Sequence, residues 1–254
     1  MMTGDIFDNL SPLDHRYRLS NPQLFEELSS YLSEEANIRY SLKVEAALTA
    51  AHAERMGIDD SDDVLENAIQ EIEPSEVYEE EEKTRHAIRA VVHVLKRHLP
   101  PSLRPLVHLG ATSVDILDTA LAMRLRDVTR AVILPRLAKL LGRLVDLADT
   151  HSSVPQVGRT HGQFAVPITV GFTFAEYVAR LGKSLPELDR RAYELRGKLR
   201  GAVGAYNATQ LLAEDPVSLE RAVLSRLGVE PAEYATQIVE PEHLLRLIQE
   251  MNVA

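Results

Sequence analysis

The chain has 254 residues, 45% of them apolar and 26% charged, with a net charge of −10 and no cysteine. That length allows one large domain or two smaller ones with ample core-forming capacity. The acidic balance argues against a general nucleic-acid surface, which needs clustered Lys and Arg, and the absence of Cys rules out a disulfide framework or a thiolate zinc site and fits a reducing compartment.

The opening residues, MMTGDIFDNLSPLD, are polar and acidic and do not read as a signal peptide. No run approaches the ~18 apolar residues of a transmembrane helix, so a cytoplasmic protein without a membrane partner is expected. Pro22 to Met56 reads as one long helix closed by Gly57 as its C-cap. A polar stretch, Asp59 to Asp63, separates it from a second helical run over Val64 to Ile72. Pro74 interrupts, and helix resumes from about Val77 to His98 before Pro100-Pro101 ends it. The acidic run Glu79 to Glu82 reads as a solvated helix face. These elements are expected to form a small N-terminal helical domain, residues 1–107, followed by a bundle of longer helices, residues 108–254.

In the second part, Asp115 to Asp149 carries apolar positions Leu117, Leu121, Leu125, Val128 and Val132, then Leu137, Leu141, Leu144 and Leu147, with a kink expected at Pro135. Next, Phe174, Val178, Leu181, Leu185, Leu188, Ala192, Leu195 and Leu199 alternate spacings of four and three. A period of 3.5 is what packed bundles require. A helix of ~30 residues spans ~45 Å, too long for a domain of this size to cover, so neighbours from other subunits are expected. The fold class is therefore all-α, and strand signals are almost absent.

Two segments carry chemistry. Val107 to Leu117 (VHLGATSVDIL) and, about forty residues later, Gly158 to Pro167 (GRTHGQFAVP) each set a histidine beside hydroxyl- or amide-bearing residues, just ahead of a long helix. A helix start offers free N–H groups and positive dipole density to an anion. In the first, Thr112 and Asp115 also match a capping box, which explains them without a substrate. In the second, His161 lies in a loop between Pro155 and Pro167, beside Arg159 and Thr160, and could act as a general acid or base, or simply bond to backbone. Thr84-Arg85-His86 falls inside the expected helix from Val77, where neighbouring side chains lie ~100° apart and meet one ligand only near a face edge. Arg16-Tyr17 alone reads as polar loop. If the ligand is an anion, Arg16, Arg85 and Arg159 are the cations to consider. His15, His52, His93, His98, His151 and His243 show no partner pattern. No HExxH, GxGxxG or P-loop occurs, so neither a metal nor a cofactor is expected.

Taken in order, SPLDHRY, TRH at 84–86, HLGATSVDILDTA at 108–120, GRTHGQFAVPIT at 158–169, GKLRGAVGAYNA at 197–208 and TQI at 236–238 resemble the adenylosuccinate lyase family of the aspartase/fumarase superfamily. The resemblance implies an all-α fold, a homotetramer built on the long helices, and β-elimination of fumarate from adenylosuccinate and from the related succinyl carboxamide ribotide. It implies His161 as the general acid at the leaving nitrogen, with His86 assisting. Thr112 and Ser113 would hold a succinyl carboxylate, and His108, Arg85 and Thr160 would line the site. Gln237 would touch the substrate, and Arg16 and Tyr17 would bind the nucleotide phosphate. Three departures stand out. Ala87 follows the TRH histidine where the family has an acid. Phe172 and Thr173 follow Gly171 where it has Lys or Arg. The chain also ends at Ala254, before the Ser-Ser-x-Met loop that carries the family's serine base. The expectation is an N-terminal portion, inactive by itself. The rival readings are a carboxymuconate cycloisomerase-like enzyme of the same superfamily and a non-catalytic helical scaffold.

Overall fold

The computed structural model describes residues 14–58 and 61–254; residues 11–13 of the SPLDHRY segment and Asp59-Asp60 of the polar stretch lie outside them. Helix dominates, as the all-α reading expects. The described residues form two compact units, one from 14–58, 61–128 and 194–243, the other from 129–193 and 244–254.

In the first unit, α1 (Asp14–Ser20) and α2 (Pro22–Leu32) lead into α3 (Glu34–Arg55), followed by α4 (Ser61–Glu71), α5 (Pro74–Thr84), α6 (Ala87–His98) and α7 (Ser113–Val128). The single helix expected over Pro22 to Met56 is two, because Ser33 turns extended (ψ 170°) and its hydroxyl accepts from the Ala36 N–H at 3.1 Å. A serine side chain offers the backbone this alternative to a helix bond. α3 is the central element. Its Ile38, Leu42, Val44, Leu48, Ala50 and Ala53 are all buried, and its C-terminus closes on Gly57 at φ 68°, as read.

The expected helix over Val77 to His98 also breaks, at the Thr84-Arg85-His86 triplet. Arg85 turns left-handed (φ 55°) and His86 becomes the N-cap of α6. α5 and α6 then pack against each other through Glu80. That residue is not a solvated member of the acidic run but is 11% exposed, accepting from His93, Arg97 and Lys83. Histidines whose sequence shows no partner pattern have partners here: His98 faces Glu76 at 3.1 Å, and His52 donates to the Leu109 carbonyl at 3.0 Å.

On α7 the buried face is Asp115, Ile116, Thr119, Ala120, Ala122 and Met123, whereas Leu117 and Leu121 of the expected seam are exposed. The long-helix seam likewise stops short of Leu199. α9 (Val170–Tyr193) ends, and Leu195 and Leu199 are buried on extended chain in the first unit. There β1 (Arg196–Gly197) pairs in parallel with β2 (Glu230–Pro231). Close approach explains the switch. A Cβ on Gly197 would meet the Thr119 hydroxyl at 2.9 Å, and the Lys198 N–H donates to that same hydroxyl. α10 (Pro216–Arg226), capped by Asp215, completes this unit's core with Leu219, Val223 and Leu224 against Leu48 and Ala51.

The second unit opens with a five-residue π turn, Thr129–Ile133, ahead of α8 (Leu134–Thr150). The wider turn accommodates Pro135, whose ring would clash with the carbonyl four residues back, so the irregularity lies just before the proline. The stretch between Pro155 and Pro167, expected to be a loop, instead lies in an antiparallel hairpin of β3 (Pro155–Thr160) and β4 (Gln163–Thr169). α8 and α9 pack together, yet no α8 residue is buried, and Leu140 and Val145 remain about half exposed. α11 (Glu242–Val253) ends the chain. Among the described residues no helix is long and apolar enough to cross a membrane, and no group of three metal-ligating side chains occurs.

Candidate functional site

The start of α7 is the best-built polar site. Asp115, wholly buried, gathers four donors: the backbone N–H of Thr112 at 2.9 Å, of Arg200 at 3.1 Å and of Gly201 at 3.0 Å, and the ammonium of buried Lys198. The acid of the predicted capping box therefore does more than close a helix. It ties the GATS turn to the Lys198–Gly201 segment, which comes from the other end of the unit's sequence. A second buried carboxylate, Glu220, repeats the device nearby. It accepts from the Leu199 N–H, the Arg200 guanidinium and the Tyr206 hydroxyl, and burial together with that carboxylate pushes the Tyr206 phenol up.

His86 meets this helix start directly: its Nε2 is 3.2 Å from Ser113 Oγ, while Nδ1 accepts from the Arg89 N–H at 3.3 Å. A ring nitrogen that accepts carries no proton. The hydrogen-bond pattern thus assigns the proton of the neutral ring to Nε2, aimed at Ser113. The break after Thr84 is what makes this possible, since it frees His86 from the helix and turns Arg85 out into solvent. Thr112 and Ser113 are half-buried. His108 sits one turn earlier at φ 62°, with Nδ1 2.6 Å from Glu45.

Gln237 lies exposed in a small turn closed by the Ala235–Val239 bridge, and the Val239 N–H donates to Asp118 of α7 at 2.8 Å. Gly204 (φ 75°) packs against this turn so tightly that an added Cβ would strike the Ala235 carbonyl. Arg16 and the exposed Tyr17 lie on α1, a helix rather than the polar loop expected.

In the second unit, Thr160 and His161 are exposed at the tip of the β3–β4 hairpin. Thr160 pairs with Gln163 across a two-residue turn made of His161 (φ 54°) and Gly162 (φ 71°). Two successive positive φ values define the turn that matches strand twist. This geometry presents the imidazole outward from a stiff ribbon. Arg159 stacks on the Phe164 ring at 5.3 Å, and Thr173, at a position where the resemblance expects a cation, donates to Gln156.

Of the predicted residues, His86, Thr112, Ser113 and His108 lie on the segments that meet at the α7 start, with Gln237 anchored to the same helix. Sequence reading missed Glu45, Lys198 and Glu220, each of which acts on a partner far away in the chain.

Residues 15–253 match the family described as lyase. The chain belongs to the lyase family. It is 34% identical over 90% of its length to adenylosuccinate lyase of Pyrococcus abyssi and 31% identical over 90% to that of Methanocaldococcus jannaschii, covering 49% and 48% of them. Its fold is similar to 3-carboxy-cis,cis-muconate lactonizing enzyme from Pseudomonas putida (25% identity, TM-score 0.77, 89% of this chain and 52% of that one). A fumarate lyase from Mesorhizobium sp. BNC1 shares the fold at 24% identity and a TM-score of 0.76, over 91% of this chain and 53% of that one. The chain spans about half the length of the relatives it matches. The helical architecture matches that of these two solved structures.

Proposed function

We propose that this lyase-family chain supplies the N-terminal portion of an adenylosuccinate lyase. That enzyme cleaves the C–N bond of adenylosuccinate, and of the related succinyl carboxamide ribotide, to release fumarate. In this reading residues 1–107 and 108–254 are the family's N-terminal and central domains, and the assembly is a homotetramer in the cytoplasm. The exposed apolar side chains of α8 support the oligomer.

The observation that carries the proposal is the His86–Ser113 contact at the start of α7. Abstraction of a proton beside a carboxylate builds negative charge on the succinyl group. The free N–H groups and hydroxyls of a helix start stabilise that charge where it develops. Thr112 and Ser113 hold the carboxylate, and His86 donates through Nε2. His161 protonates the departing nitrogen as the C–N bond breaks. Arg16 and Tyr17 take the phosphate, while Arg85, His108, Thr160 and Gln237 complete the contacts. The carbon-bound proton goes to the serine base of the family's mobile loop, so the 254 residues alone are inactive.

A cycloisomerase acting on a carboxymuconate is the second reading, supported by the Pseudomonas putida fold likeness. Adenylosuccinate is preferred because sequence relatives at 31–34% identity carry that name. Calorimetric titration separates the two. Adenylosuccinate should bind the chain and compete with AMP, whereas binding of carboxymuconate alone would overturn the assignment.

A further inference from the structure

One ionisable group of the core has no part in the reading above. α3 buries Glu45 completely, at 0% exposure. One of its oxygens, Oε1, is 2.6 Å from His108 Nδ1, and the other, Oε2, is buried with no hydrogen-bond partner among the described residues. A buried carboxylate is costly unless paired; on this helix Leu42, Val44 and Leu48 are buried around it, with Ser41 and Thr49 one turn to either side, and neither hydroxyl reaches its carboxylate. A glutamate there serves the single group it touches. That group is held in turn: His108 adopts φ 62°, rare outside glycine. The next peptide is pinned by His52 Nε2 on the Leu109 carbonyl, and the Ala111 N–H closes back onto the His108 carbonyl. Backbone and ring are both fixed, and the histidine side chain keeps 24% of its surface open.

We propose that Glu45 is a positioning residue that works through His108, accepting its Nδ1–H and fixing the ring so that its protonated form aims Nε2–H away from Glu45 at a substrate carboxylate. This rests on the reading that His108 lines the substrate site. A lone neutral imidazole would present either nitrogen; one clamped by a carboxylate on Nδ1 presents only Nε2. The charges facing the ring come from three helices. Burial on its own lowers the ring's hold on its proton. The hydrogen bond and charge of Glu45, with the charge of Asp115 on α7, outweigh burial and the opposing Lys96 on α6, so the ring titrates above the ordinary histidine range.

The test is nitrogen-resolved NMR of the His108 ring in the 254-residue chain, assigned with His108→Gln, alongside succinate titrations at neutral pH. The expected result is a proton held on Nδ1 of the wild-type ring and a titration displaced upward from the ordinary histidine value. Glu45→Gln, which keeps an acceptor but not the charge, should move its titration to lower pH and weaken succinate by about tenfold or more. In the His108→Gln background, Glu45→Gln should change succinate affinity no further. A bare Nδ1 in the wild-type ring overturns the proposal without any variant needing to fold. So does a titration that Glu45→Gln leaves in place, or a Glu45→Gln chain that binds succinate as well as wild type. Unchanged succinate affinity in His108→Gln, with the NMR signature as expected, would instead refute the placing of His108 at the substrate, and with it the proposed role of Glu45.

Discussion

His86 Nε2 lies 3.2 Å from Ser113 Oγ, so the residue that caps α6 touches the first residue of α7 across 27 positions of sequence. Two helix starts are thereby brought to one polar spot, and the hydroxyl between them is held by a histidine rather than by its own helix.

Replacing Ser113 with Ala removes that contact and a hydroxyl at the anion site. Succinate or phosphate affinity should fall several-fold while the melting temperature stays within a few degrees. Ser113 is half-exposed, and a hydrogen bond of this kind contributes about 0.5–1.5 kcal/mol. Calorimetric titration and thermal melts check both. Unchanged affinity would mean that the pair is only a strut between helices.

Asp115 is a different case, because its partners cannot be hydrated if it is lost. Asp115→Ala strands the Lys198 ammonium, which is 0% exposed, together with three backbone N–H groups. Breaking a buried pair by removing one partner costs roughly 3–5 kcal/mol. Urea unfolding should show a loss of that order, and the double variant Asp115→Leu/Lys198→Met should recover much of it.

Much of the helical framework can be read from local pattern, as the Gly57 cap and the α9 heptads show. The breaks at Ser33 and Arg85 cannot, since neither residue is a helix breaker. Each stops a helix through a contact, the Ser33 hydroxyl on Ala36 or the capping role of His86 on α6. The hairpin at His161-Gly162 did leave a signal, a Gly-containing turn between two prolines, but its strands are exposed on both faces and lack strand periodicity. Glu45 and Lys198 were illegible for another reason. A charge at a core position makes sense only with its partner, and those partners lie 63 and 83 residues away.

Acid should loosen the α5–α6 pair. Hydrogen bonds from His93 and then Arg97 hold the Glu80 carboxyl down to about 2. A depressed folded-state value means that its stabilisation is present above the ordinary carboxylate range and is lost as pH falls towards 2. Glu80→Gln should lose part of the wild-type stability near neutrality, and the difference between the two proteins should shrink steadily from about pH 5 downward. Parallel stability curves over that window would show that the ion pairs contribute nothing.

Gly204 couples two motifs. With φ 75° and a Cβ that would strike the Ala235 carbonyl, Gly204→Ala should displace the turn carrying Gln237. The prediction is weaker binding of adenylosuccinate with the α3 core intact, read as reduced affinity at nearly unchanged helical circular dichroism.

The most direct test of the central claim is fumarate release from adenylosuccinate, followed by ultraviolet absorbance. The 254-residue chain would be assayed alone and then mixed with the C-terminal half of a full-length adenylosuccinate lyase. We expect no turnover from the chain alone, turnover on complementation, and a loss of about 10²–10⁴-fold in His161→Ala, the effect of removing a positioned general acid. Turnover by the chain alone, or an assembled complex that releases no fumarate, would contradict the account.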